Sequence, residues 1–167
     1  MAHINLDLSR RDRPWWPSLG NRWEWLAELL LARESCDLLL LPRSAQECEI
    51  RSRTRGTARV VTQDGRFSYL PQSGDPLGLG ELRALDANAA HDATMASDYP
   101  DGLVQVASLA ASPRAGDVIL SAARGWDFRA RWEPIRHVSA HGALHREHMM
   151  VPLLVNRVAT SLPQRTV

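Results

Sequence analysis

The chain has 167 residues and a net charge of +1, enough length for one domain with a core. Its near-neutral balance gives no global electrostatic pull towards nucleic acid or an anionic membrane, and neither partner is expected. Two cysteines, Cys36 and Cys48, exclude a disulfide framework. No charged-then-apolar leader opens the sequence, and the apolar run "LLLL" at 38–41 is far short of a membrane span, so a soluble cytoplasmic protein is expected. All twenty basic residues are arginine.

In chain order, "INLDL" alternates like a strand and leads into a Pro- and Trp-rich connection expected to be extended or turned. "NRWEWLAELLLARES" has amphipathic helical spacing, with Asn21 as the expected N-cap. "CDLLLLP" reads as a buried strand. "ECEIRSRTR" alternates, setting Cys48, Ile50, Ser52 and Thr54 on one face and Glu49, Arg51, Arg53 and Arg55 on the other, as a solvated antiparallel strand would. "TARVVT" and "RFSYL" follow, joined through Asp64-Gly65, a pair that favours a tight hairpin. Residues 44–71 thus predict a small antiparallel meander.

The stretch from 72 to 101 is rich in turn signals, with one short helix expected near "LGELRAL". Leu103, Val106, Ala107 and Ala110 have helical apolar spacing, and "VILSAA" reads as a strand. "WDFRARW" alternates, placing Trp126, Phe128, Ala130 and Trp132 inward, and "MMVPLLVN" is strand-like. Mixed strands and helices predict an α/β fold with a mixed sheet.

Four of the six histidines, His137, His141, His145 and His148, fall between 137 and 148. Their spacing fits one helical face, but Gly142 interrupts it and Val138-Ser139 prefer extended backbone. No glutamate follows His141 directly, so the hydrolytic His-Glu-x-x-His pattern is absent. A loop suits the stretch better, with His141-Gly142 in a turn where glycine lets the backbone pass close to an ion or substrate.

Several pieces around that turn occur in a recognisable order: Ala115-Gly116-Asp117, Gly125-Trp126-Asp127-Phe128, His141-Gly142 and Val151-Pro152. Over residues 112–156 the chain resembles the last part of the alkaline phosphatase superfamily, nearest its type I phosphodiesterase/nucleotide pyrophosphatase branch. The resemblance implies an alkaline-phosphatase-like sheet over residues 1–167 and a metal-dependent phosphoester or phosphodiester hydrolase. Two divalent metals, commonly Zn²⁺, would sit beside a Ser or Thr nucleophile, with His141 as one metal ligand. His137, His145 and His148 match no ligand position and read as loop or supporting groups. Arg146 and Glu147 are candidates for a substrate entrance.

The family's other motifs are missing. There is no Asp-His dipeptide, Asp86 and His91 have the wrong spacing for a ligand pair, and Thr94 and Ser97 lack a nucleophile's surroundings. One histidine cannot hold a metal pair. The resemblance therefore implies a fragment or subunit, inactive alone, whose partner is an N-terminal half supplying nucleophile and remaining ligands. The alternative reading is a non-catalytic interaction module or relic.

Overall fold

The computed structural model describes residues 1–6, 14–128, 142–152 and 156. In chain order its elements are β1 (Ala2–Ile4), α1 (Trp16–Leu31), β2 (Cys36–Pro42), β3 (Glu47–Ser52), β4 (Gly56–Gln63) and β5 (Arg66–Pro71). These are followed by β6 (Leu82–Leu85), α2 (Ala87–Thr94), α3 (Gly102–Ala111), β7 (Val118–Ala122) and α4 (Arg146–Met149). The strands form one seven-stranded sheet in the order β1-β7-β2-β3-β4-β5-β6. The α/β composition is as expected. The expected mixed sheet, however, is antiparallel at every described pairing. The chain returns through α2 and α3 to insert β7 between β1 and β2, antiparallel to both.

Helices cover both faces, which explains why β2 carries four consecutive leucines. Leu38 and Leu40 enter one apolar cluster with Ile50, Val60, Leu103 and Val106; Leu39 and Leu41 enter the other with Trp16, Leu19, Val118 and Leu120. All four leucines are fully buried. At about 1.5–3 kcal/mol for each such side chain, burying these four leucines contributes roughly 6–12 kcal/mol. The apolar positions anticipated in α3, namely Leu103, Val106, Ala107 and Ala110, are all buried.

The meander forms as expected. Asp64 (φ 49°) and Gly65 (φ 72°) make the tight turn between β4 and β5, with Gln63 opposite Arg66. On the face towards α1, acids engage the arginine row. Arg51 pairs with Glu24 of α1 and with Glu49, Arg43 pairs with Glu47 and Glu49, and Arg59 pairs with Glu47.

Four local expectations are corrected. Helix α1 begins at Trp16, five residues before Asn21, because Pro17 sits in the first turn, where its missing N–H costs nothing. "LGELRAL" contributes strand β6 instead of a helix. Pairing of Leu82 and Leu85 with Tyr69 and Phe67 of β5 outweighs helix propensity there. The helix α2 starts immediately afterwards, capped by Asp86, whose Oδ1 accepts from the N–H groups of Asn88 and Ala89. Finally, Trp126 is 51% exposed and lies outside any strand, because a turn follows β7 in which its N–H bonds to Ala123 O. Ala130 and Trp132 lie outside the described residues. Met149 closes α4, while Met150 and Val151 are exposed coil; residues 153–155 lie outside the described residues.

The Ala-Gly-Asp element has a structural role. A Cβ on Gly116 would lie 2.8 Å from Ile4 N, so only glycine lets the backbone pass β1 here. Next to it, buried Asp117 accepts from Leu6 N–H at 2.7 Å and donates its own N–H to Ile4 O. Among the described residues, no helix is long and apolar enough to cross a membrane.

Candidate functional site

His141 and His137 lie outside the described residues. The chain directly after His141 is well anchored. Gly142 has φ +95°, a conformation that L side chains rarely adopt, so the glycine of the His-Gly pair is required by the backbone. Ala143 and Leu144 are buried, and Leu144 N–H donates to Ser121 Oγ of β7 at 3.2 Å. Ala143 N–H donates to His148 Nδ1, also at 3.2 Å.

His145, read from sequence as a supporting loop residue, is 6% exposed and lies in a polar cluster drawn from four parts of the chain. Its Nε2 is 3.1 Å from Ala122 O and 3.4 Å from Asp37 Oδ2, and its ring lies on that of Tyr99 with centroids 5.4 Å apart. Asp37 belongs to β2 at a register shift between Cys36 and Leu38, which frees its side chain from the regular pleat. Its carboxylate accepts from Tyr99 OH at 2.7 Å and from Arg55 Nη2 at 2.8 Å. Arg55 Nη2 also donates to Tyr99 OH, and Arg55 Nε to Pro76 O. Arg55, expected on the solvated face beside Arg51, instead leaves that row at the β3–β4 turn and joins this cluster.

These surroundings settle the charge states of two members. Burial, reinforced by Asp37, pushes the Tyr99 hydroxyl well above its ordinary range, so it is a neutral donor at physiological pH. Burial tends to lower the Arg55 guanidinium, but its hydrogen bond and charge pairing with Asp37 more than offset this, and it stays charged. Tyr99 and Arg55 therefore hold the Asp37 carboxylate in place; neither can act as a base.

A carbonyl cannot donate, so His145 Nε2 carries a proton shared towards Ala122 O and Asp37 Oδ2. Nδ1 is buried and has no hydrogen-bond partner among the described residues. Nothing in the sequence marked Asp37 or Tyr99. The one available signal was an aspartate inside an otherwise apolar buried run.

The remaining polar candidates have structural partners. Thr94 Oγ1 donates to Ala90 O and accepts from Asp101 N–H, and Ser97 Oγ donates to Thr94 O. Arg146 donates to Met95 O and Ser97 O, clipping the 95–98 loop, and Glu147 pairs with Arg124 at 3.4 Å. No family model, curated protein or solved structure matches the chain.

Among the described residues no three His, Cys, Asp or Glu side chains converge in a way that could hold a metal. Asp37 is a poor ligand here, since Arg55 and Tyr99 engage both its oxygens.

Proposed function

We propose that this chain is one segment of a metal-dependent phosphoester or phosphodiester hydrolase with an alkaline-phosphatase-like fold. It supplies His141 as a ligand, and another segment supplies the nucleophile and the remaining ligands. Support comes from the ordered pieces between 112 and 156, two of which carry glycines with a physical reason to be there. Gly116 permits the approach of β1, and Gly142 takes a positive φ. The observation that carries the reading is that conformation of Gly142 together with the anchoring of Leu144 and His145 on β7, a few residues after His141 in sequence.

A bound divalent metal supplies Lewis-acid chemistry, activating a hydroxyl nucleophile and stabilising the transferring phosphoryl group. The contribution of this chain is to fix the backbone next to the ligand, since small misplacements at a reacting centre are costly. On its own it turns over no phosphoester.

A second reading, a protein-interaction module, is favoured by Trp25 and Leu29. They lie four apart on α1 and are 57% and 46% exposed, an apolar stripe a partner would cover.

The two readings separate in the DNA preceding the Met1 codon. The hydrolase reading expects a frame there encoding a Ser or Thr nucleophile segment and an Asp-His-Gly. Upstream DNA with neither, in any frame, overturns it.

A further inference from the structure

We propose that the outer face of α1 pairs with the same face of a second copy of this chain, the two helices running antiparallel about a twofold axis at Trp25. This rests on the interaction-module reading, for which it names the partner, and is independent of the hydrolase reading.

One side of α1 faces the core. Trp16, Leu19 and Ala27 are buried, and Trp23, Leu30 and Leu31 pack against the same cluster. The opposite side carries Asn21, Arg22, Trp25, Glu28, Leu29 and Ala32, all exposed. At about 100° per residue these six lie within roughly 60° of Trp25, so they form one continuous face. A solvated helix face is ordinarily polar. Here its middle is Trp25, 57% exposed, with Leu29 one turn further on at 46%. The Trp25 ring lies beside that of Trp23, with centroids 6.1 Å apart, and Trp23 packs against the core. Tryptophan is among the side chains that most often anchor interfaces, and one already supported loses less freedom on contact.

The charges choose the partner. Arg22 stands three positions before Trp25 and Glu28 three positions after it. An antiparallel twofold at Trp25 brings Arg22 of each copy level with Glu28 of the other, so opposite charges meet at both ends of the tryptophan pair. A parallel pairing instead sets Arg22 level with Arg22 and Glu28 level with Glu28, which repel. Further out, Ser18 comes level with Ala32, and both are small enough to let the helix axes close to about 8–10 Å. A face that complements itself about a twofold is the commonest basis for a homodimer. One helix face is a small interface, so the association is weak and depends on concentration.

The test is sedimentation velocity on the full chain from about 5 to 500 µM, a range that spans weak dimers. The sedimentation coefficient of the wild type should climb from monomer towards dimer, and Trp25→Ser should abolish the rise. Arg22→Glu and Glu28→Arg each bring like charges level, and each should weaken self-association by roughly tenfold or more. An equimolar mixture of those two variants should recover it, because a copy with two acids then meets a copy with two bases. All three positions are exposed, so the variants should melt with the wild type.

A wild-type chain that stays monomeric to the top of the range overturns the pairing, but not the interaction-module reading, whose partner is then a different protein. Self-association that survives Trp25→Ser overturns the choice of α1. Single variants that associate like the wild type, or a mixture that recovers nothing, overturn the antiparallel twofold.

Discussion

Replacing Asp37 with alanine tests whether the polar cluster holds the molecule together as its geometry implies. The substitution removes the acceptor of Arg55 Nη2, of Tyr99 OH and of part of the His145 Nε2–H interaction. The three losses differ in size. The Arg55 side chain is 38% exposed, so water screens its pairing and its share is about 0.2–1 kcal/mol. Tyr99 is 4% exposed and loses the acceptor of a buried hydroxyl, which costs about 1–3 kcal/mol. His145 keeps Ala122 O and adds little. Asp37→Ala should therefore destabilise the fold by about 1–4 kcal/mol. With a mid-range urea slope of about 2 kcal/mol/M, the unfolding midpoint falls by roughly 0.5–2 M. Tyr99→Phe alone should cost about 1 kcal/mol, and the double variant should fall short of additivity by a comparable amount, because the two groups share one hydrogen bond. An Asp37→Ala midpoint within about 0.3 M of wild type, or strictly additive losses, would refute the reasoning.

Three further outcomes follow from other contacts. Gly116→Ala forces a methyl to within 2.8 Å of Ile4 N and should cost about 1–3 kcal/mol; a thermal midpoint equal to wild type would show that β1 does not pack there as described. Burial, reinforced by Asp37, pushes the Cys36 thiol up to about 11, so it should resist aromatic disulfide reagents at neutral pH until the protein unfolds; rapid labelling of the folded chain contradicts this. Burial raises the Asp75 carboxyl, but the N–H groups of Gly80, Leu79 and Gly78 and the Tyr69 hydroxyl outweigh it and hold the group below its ordinary 3.8. Its folded value is thus depressed, so its stabilising contribution is complete above the unfolded value and is lost as the pH falls below about 3.8. Asp75→Asn should flatten the loss of stability in that window, and an unchanged acid profile would contradict the assignment.

The elements legible in the sequence were those whose signal is local. Asp64-Gly65 dictates its own turn, the leucine run of β2 needs cover on both faces, and the apolar spacing of α3 matches one helical face. The misses share a different origin. Strand β6 exists because β5 offers it an edge, and Trp126 is exposed because the chain turns after β7; neither fact is written in the neighbouring residues. Helix α1 was placed late because prolines were read as breakers, although one in the first turn starts a helix comfortably. The site was legible only in part. His145 was visible as a residue, but its partner Asp37 and the supporting Tyr99 are 62 positions apart, and only the assembled sheet brings them together. Asp37 also sits in a run whose apolar character hides it.

The most direct measurement of the central claim is hydrolysis of bis(p-nitrophenyl) phosphate in the presence of Zn²⁺. The chain would be assayed alone, then co-expressed with the polypeptide encoded immediately upstream, with wild-type His141 and with His141→Ala. The account predicts no turnover by the chain alone, turnover by the pair, and its loss on substitution of His141. A pair that hydrolyses nothing, or that works equally well without His141, would contradict it.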